Sequence, residues 1–70
     1  EKKMTFSENL LRLRQTRGLK QQEVADALGL SLRVYQYYEH GQRDPTLPTL
    51  IGLADLYDVS LDELVCRQRK

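Results

Sequence analysis

Between Leu28 and Leu32 the chain has only Gly29-Leu30-Ser31 in which to stop one helix and begin another. On the near side Val24, Ala25 and Leu28 recur at the spacing of a helical apolar stripe, and on the far side Tyr35 and Tyr38 do the same. Glycine supplies the left-handed residue that ends a helix, and serine accepts an amide at the start of the next. Helices joined this tightly must cross, and Ala25 is small at the crossing. The predicted pair runs from Gln21 to Leu28 and from Leu32 to about His40, with Gly41 closing the second.

The same punctuation predicts three more helices. One covers about Phe6 to Arg17, capped by Thr5, with Glu8 in its first turn, Phe6, Leu10 and Leu13 inward, and Gly18 after it. Gln42 to Pro45 reads as a turn, because Pro45 disfavours helical geometry in Asp44. A fourth helix follows Thr46, tolerates Pro48 in its first turn, and buries Leu50, Leu53, Ala54 and Tyr57, with Leu47 beside them. Ser60 and Glu63 form a capping box for a fifth, from Leu61 to about Cys66, whose Leu61 and Leu64 complete the core. No stretch alternates as a half-buried strand would, so the expected fold is all-α, a compact bundle of about five short helices.

At 70 residues, 40% hydrophobic and 30% charged, the expectation is one domain with its core at about 6–65. Glu1 to Lys3 and Arg67 to Lys70 read as flexible ends or linker. The lone Cys66 permits no internal disulfide, no leader is recognisable, and no apolar run nears the roughly 18 residues of a membrane helix. The expected compartment is therefore the cytoplasm. A single His40, far in sequence from Cys66, argues against a metal site. No phosphate-cradling loop, nucleophile elbow or paired-carboxylate motif is present, so no enzyme activity or cofactor is expected.

The net charge of +1 conceals an asymmetry: residues 1–43 carry +3, residues 44–66 carry −5 and residues 67–70 carry +3. A phosphate-binding surface is expected on the first two thirds of the chain, away from Asp44, Asp55, Asp58, Asp62 and Glu63.

Two short helices around a tight glycine-containing turn are the helix-turn-helix arrangement, whose second helix enters a DNA major groove. The run GLKQQEVADALGLSLRVYQYYEHGQRDP, followed by LPTLIGLADLYDVSLDELV, resembles the Cro/C1-type helix-turn-helix family of phage repressors and bacterial regulators. The resemblance covers about Phe6 to Val65, most specifically in Gly18-Leu19-x-Gln21, Ala25, Gly29 and Tyr38-Glu39-x-Gly41. It implies a lambda-repressor-like domain that regulates transcription, as a dimer on an inverted repeat of double-stranded DNA.

With Tyr35 and Tyr38 inward, the outer residues of the third helix are Leu32, Arg33, Gln36 and Tyr37, the expected base readers. Arg33 suits the O6 and N7 of guanine, Gln36 suits adenine, and Leu32 suits a thymine methyl. Expected phosphate ligands are Gln21, Ser31, Gln42 and Arg43, with Lys20 and Arg17 at the rim. The resemblance further implies that Arg14 pairs with Glu39 rather than with phosphate. It also implies dimerisation through the fourth and fifth helices, by Ile51, Gly52, Leu56 and Val65, with Gly52 on the outer face and Leu11 likewise outside the core.

Lys20 stands where the family usually caps with Ser or Thr, an expected cost of about 0.5–1 kcal/mol. Two other readings compete. An antitoxin would use this fold to repress its operon while holding a toxin. An interaction module that had lost DNA binding would use the tyrosines and acidic helices for docking, and the retained Gln21, Ser31 and Arg43 argue against it.

Overall fold

The computed structural model describes residues 4–65, which form α1 (Phe6–Thr16), α2 (Gln21–Leu28), α3 (Leu32–Glu39), α4 (Leu47–Tyr57) and α5 (Leu61–Leu64), with no strand among them. The fold is all-α, as expected. Arg17 and His40 cap their helices instead of extending them, and α5 stops at Leu64 with Val65 as its cap. Cys66 and the expectations placed on Glu1–Lys3 and Arg67–Lys70 lie outside the described residues.

Helix starts follow from side-chain acceptors. Thr5 and Glu8 close a reciprocal box, with Glu8 N–H donating to Thr5 Oγ1 at 3.2 Å and Thr5 N–H donating to Glu8 Oε1 at 2.9 Å. Ser60 and Glu63 repeat it at 3.1 and 3.0 Å. Ser31 Oγ accepts from Val34 N–H at 3.2 Å. At α2 the ammonium of Lys20 has no lone pair to offer. Only half a box forms there, Lys20 N–H donating to Glu23 Oε1 at 2.7 Å.

The ends of α2, α3 and α4 share one device. After α2, Gly29 N–H reaches Asp26 O and Leu30 N–H reaches Ala25 O; after α3, Gly41 N–H reaches Tyr38 O and Gln42 N–H reaches Tyr37 O. These paired bonds need a left-handed residue, which Gly29 (φ 69°) and Gly41 (φ 73°) provide. After α4 the position falls to Asp58 at φ 56°, a residue that enters this region more readily than most side chains do.

Leu10, Leu13, Val24, Ala25, Tyr35, Tyr38, Leu53, Ala54, Tyr57 and Leu64 form the core, with Phe6, Leu28 and Leu50 packed against it. Two expected core leucines are outside it: Leu47 is 62% and Leu61 is 40% exposed. Each is the first residue of its helix, and a helical Cβ tilts toward the N-terminus, which carries these side chains past the end of the core.

Gly52 was expected on the outer face and instead faces α2, where an added Cβ would meet Leu28 Cδ2 at 3.0 Å. Absence of a side chain lets the two helices approach. The sequence also gave no warning of Asn9, which is 2% exposed. Its Nδ2 donates to the carbonyls of Glu63 (2.9 Å) and Leu64 (3.0 Å), tying α1 to the end of α5.

Candidate nucleic-acid interface

At about 100° per residue, Leu32, Gln36, Arg33 and Tyr37 fall within an arc of about 140° on α3. Val34, Tyr35, Tyr38 and Glu39 occupy the opposite arc; Tyr35, Tyr38 and Glu39 are buried, and Val34 packs against the core. The four residues expected to read bases thus lie together on the outward face, Arg33 exposed and the other three half-buried. Ser31 stands at the end of this face, its oxygen taken by the cap while its hydroxyl hydrogen and the first α3 amides keep no intrahelical partner.

Behind this face is a buried polar cluster centred on Glu39. Arg14 Nε donates to Glu39 Oε2 at 2.5 Å, Arg14 Nη2 donates to Oε1 at 3.3 Å, and Arg14 Nη1 donates to Leu19 O at 2.8 Å. The pairing implied by the family resemblance is therefore present. The Tyr35 hydroxyl donates to Glu39 Oε2 at 2.5 Å and lies 3.3 Å from the Tyr57 hydroxyl. Gln21 Nε2 donates to Glu39 Oε1 at 2.9 Å, and Gln36 Nε2 donates to Gln21 Oε1 at 3.1 Å.

Burial alone would raise the Glu39 carboxyl pKa, but hydrogen bonds from Arg14, Tyr35 and Gln21, with the charge of Arg14, outweigh it and hold the group below its ordinary value. The hydrogen bond to Glu39 pushes Arg14 upward despite its own desolvation. Burial first, then bonding to Glu39 and Tyr57, drives the Tyr35 phenol far above its usual range. Tyr57 is also raised by burial. The cluster is thus locked with Glu39 ionised and both phenols neutral.

The residues expected to hold phosphate divide. Gln42 and Arg43 follow α3 directly, and the Arg43 guanidinium lies over the Tyr37 ring at 5.0 Å, which steadies it beside the outward face of α3. Lys20 and Gln21 begin α2, although the Gln21 amide is engaged by Glu39 and Gln36. Arg17 is placed elsewhere: its guanidinium donates to Leu13 O at 3.4 Å and to the Tyr57 carbonyl, and lies 5.4 Å from the Tyr57 ring centre. It braces the ends of α1 and α4.

Sequence reasoning overlooked Tyr35, Tyr57 and the Gln21–Gln36 bond as parts of the site. Tyr35 and Glu39 stand four apart on α3, one turn, and a buried phenol requires a partner, so half of this cluster had a readable signal. The contribution of Tyr57 from α4 had none.

Comparison with known proteins identifies the family of this fold. The helix-turn-helix family model matches residues 10–64. The chain belongs to the helix-turn-helix family. This helix-turn-helix domain is 47% identical over 60 residues to the uncharacterized HTH-type transcriptional regulator YqaE of Bacillus subtilis, covering 86% of this chain and 52% of that protein. It is 38% identical over 64 residues to the cryptic phage CTXphi transcriptional repressor RstR of Vibrio cholerae, covering 91% of this chain and 57% of the relative. A transcriptional regulator from Listeria innocua superposes with a TM-score of 0.89 at 36% identity, covering 99% of this chain and 64% of that one. The chain thus spans about half the length of the curated relatives it matches. Proteins of this family are transcriptional regulators and not enzymes. Among the described residues no helix is long and apolar enough to cross a membrane, and no group of three or more His, Cys, Asp or Glu could hold a metal ion.

Proposed function

We propose that residues 1–70 are a DNA-reading domain of a sequence-specific transcriptional repressor that seats α3 in a major groove. The observation that carries this reading is the outward arc of Leu32, Arg33, Gln36 and Tyr37, flanked by the start of α2 and by Gln42 and Arg43. Donors at both ends suit phosphates on either side of a groove, and the side chains between them reach base edges. A regulator and a phage repressor among the relatives support the same function. The domain acts in the cytoplasm, on the nucleoid when bound.

The domain binds as a dimer on an inverted repeat, with half-sites about one helical turn apart. Apolar residues exposed on α4 and α5 support self-association: Leu47, Ile51, Leu56 and Leu61 are 62%, 45%, 36% and 40% exposed. Ile51, Leu56 and Val65 remain candidates for this contact, whereas Gly52 is occupied by α2.

Selection from random duplexes at physiological salt, followed by sequencing, tests the proposal. The wild-type chain enriches an inverted repeat, and Arg33→Ala relaxes one position of it at a cost of about 1–3 kcal/mol. Weak binding without enrichment would overturn the groove-reading function.

A further inference from the structure

We infer that Glu39 and Gln21 are positioning residues that lock the Gln36 amide in one polarity, so that the domain prefers adenine to guanine at the base pair Gln36 faces. This inference rests on the groove-reading function proposed above. An isolated glutamine can present either its oxygen or its nitrogen to a groove, but here the choice is made inside the protein.

An ionised carboxylate only accepts hydrogen bonds. Gln21 must therefore turn its Nε2 toward Glu39 Oε1, at 2.9 Å, and its Oε1 away. The only group of Gln36 that can meet that oxygen is its own Nε2, at 3.1 Å. The carboxylate cannot rotate out of this chain, because Arg14 and Tyr35 hold its other oxygen and its side chain is 2% exposed.

Gln36 is left with Oε1 and the second Nε2 hydrogen uncommitted among the described residues, one acceptor beside one donor. Adenine shows the complementary pair in the major groove, the N6 amino group beside N7. Guanine shows two acceptors, O6 and N7. Meeting guanine would set Gln36 Oε1 against an acceptor, or would require reversing the amide and breaking its bond to Gln21.

The test is the same duplex selection on the full chain carrying Gln36→Ala, Gln21→Met or Gln21→Ala, with thermal unfolding as the check on folding. Gln21→Met keeps the side-chain length and removes both hydrogen bonds, so it serves where the alanine variant unfolds. Wild type enriches adenine over guanine at one position, and Gln36→Ala abolishes that preference. Gln21→Met lowers the adenine-to-guanine ratio at that position alone on the order of fivefold, the worth of one net hydrogen bond. A uniform loss of affinity with an unchanged ratio would make Gln21 only a phosphate ligand and overturn the inference. Enrichment elsewhere in the site with no effect of Gln36→Ala would also overturn it, while leaving groove reading intact. Absence of any enrichment by the wild-type chain would remove both.

Discussion

Glu39 shows how a single buried charge is accommodated in a small core. With its side chain 2% exposed, it is tolerated because Arg14, Tyr35 and Gln21 satisfy both oxygens. Removing it leaves the Arg14 guanidinium and a buried phenol without their acceptor, and Glu39→Ala is expected to cost about 3 kcal/mol, measured by urea unfolding. The same cluster predicts a direction with pH. The Glu39 carboxyl is depressed in the folded state relative to its ordinary value of 4.5, so the unfolded chain takes up a proton first as pH falls. Its stabilisation is complete above that ordinary value and declines as the pH drops toward the depressed one. The urea midpoint of wild type should fall across this acid window, and that of Glu39→Gln should fall less steeply.

Among the elements, caps and stops were legible because they depend on residues three to five apart. Thr5 with Glu8, Ser31, and Ser60 with Glu63 each act within one turn, and Gly29 and Gly41 act on the turn just completed. Gly52 was misread because its reason lies in another helix. Its outward assignment assumed that α4 has one packed face, while α2 approaches a second. Gly52→Ala should be nearly neutral in urea, since about 1 kcal/mol of helix propensity is offset by crowding against Leu28. Gly52→Leu should destabilise by about 1–3 kcal/mol. A clear gain in stability from both substitutions would return Gly52 to the outer face.

Across the whole molecule the two cationic residues Arg17 and Arg43 look alike in sequence and differ in place. Arg43 is stacked on Tyr37 at the edge of the outward face of α3, whereas Arg17 is spent on the Tyr57 carbonyl and ring. Measured against salt, DNA binding by Arg43→Ala should show a slope smaller by about 1 in log–log form, as loss of one phosphate contact requires. Arg17→Ala should leave that slope unchanged and lower the unfolding midpoint instead.

Helix number, type, order and most boundaries were determined by the sequence itself, because turn chemistry and apolar period are local. The outward set Leu32, Arg33, Gln36 and Tyr37 was legible for the same reason: once Tyr35 and Tyr38 are inward, a rigid helix leaves little choice. Only the tertiary structure decided that Asn9 ties α1 to α5, that Gly52 meets Leu28, and that Tyr57 joins Tyr35 beside Glu39. Each of these unites residues 22 or more positions apart. Such pairings are set by where packing brings separate helices together, and a local pattern in the chain carries no record of them.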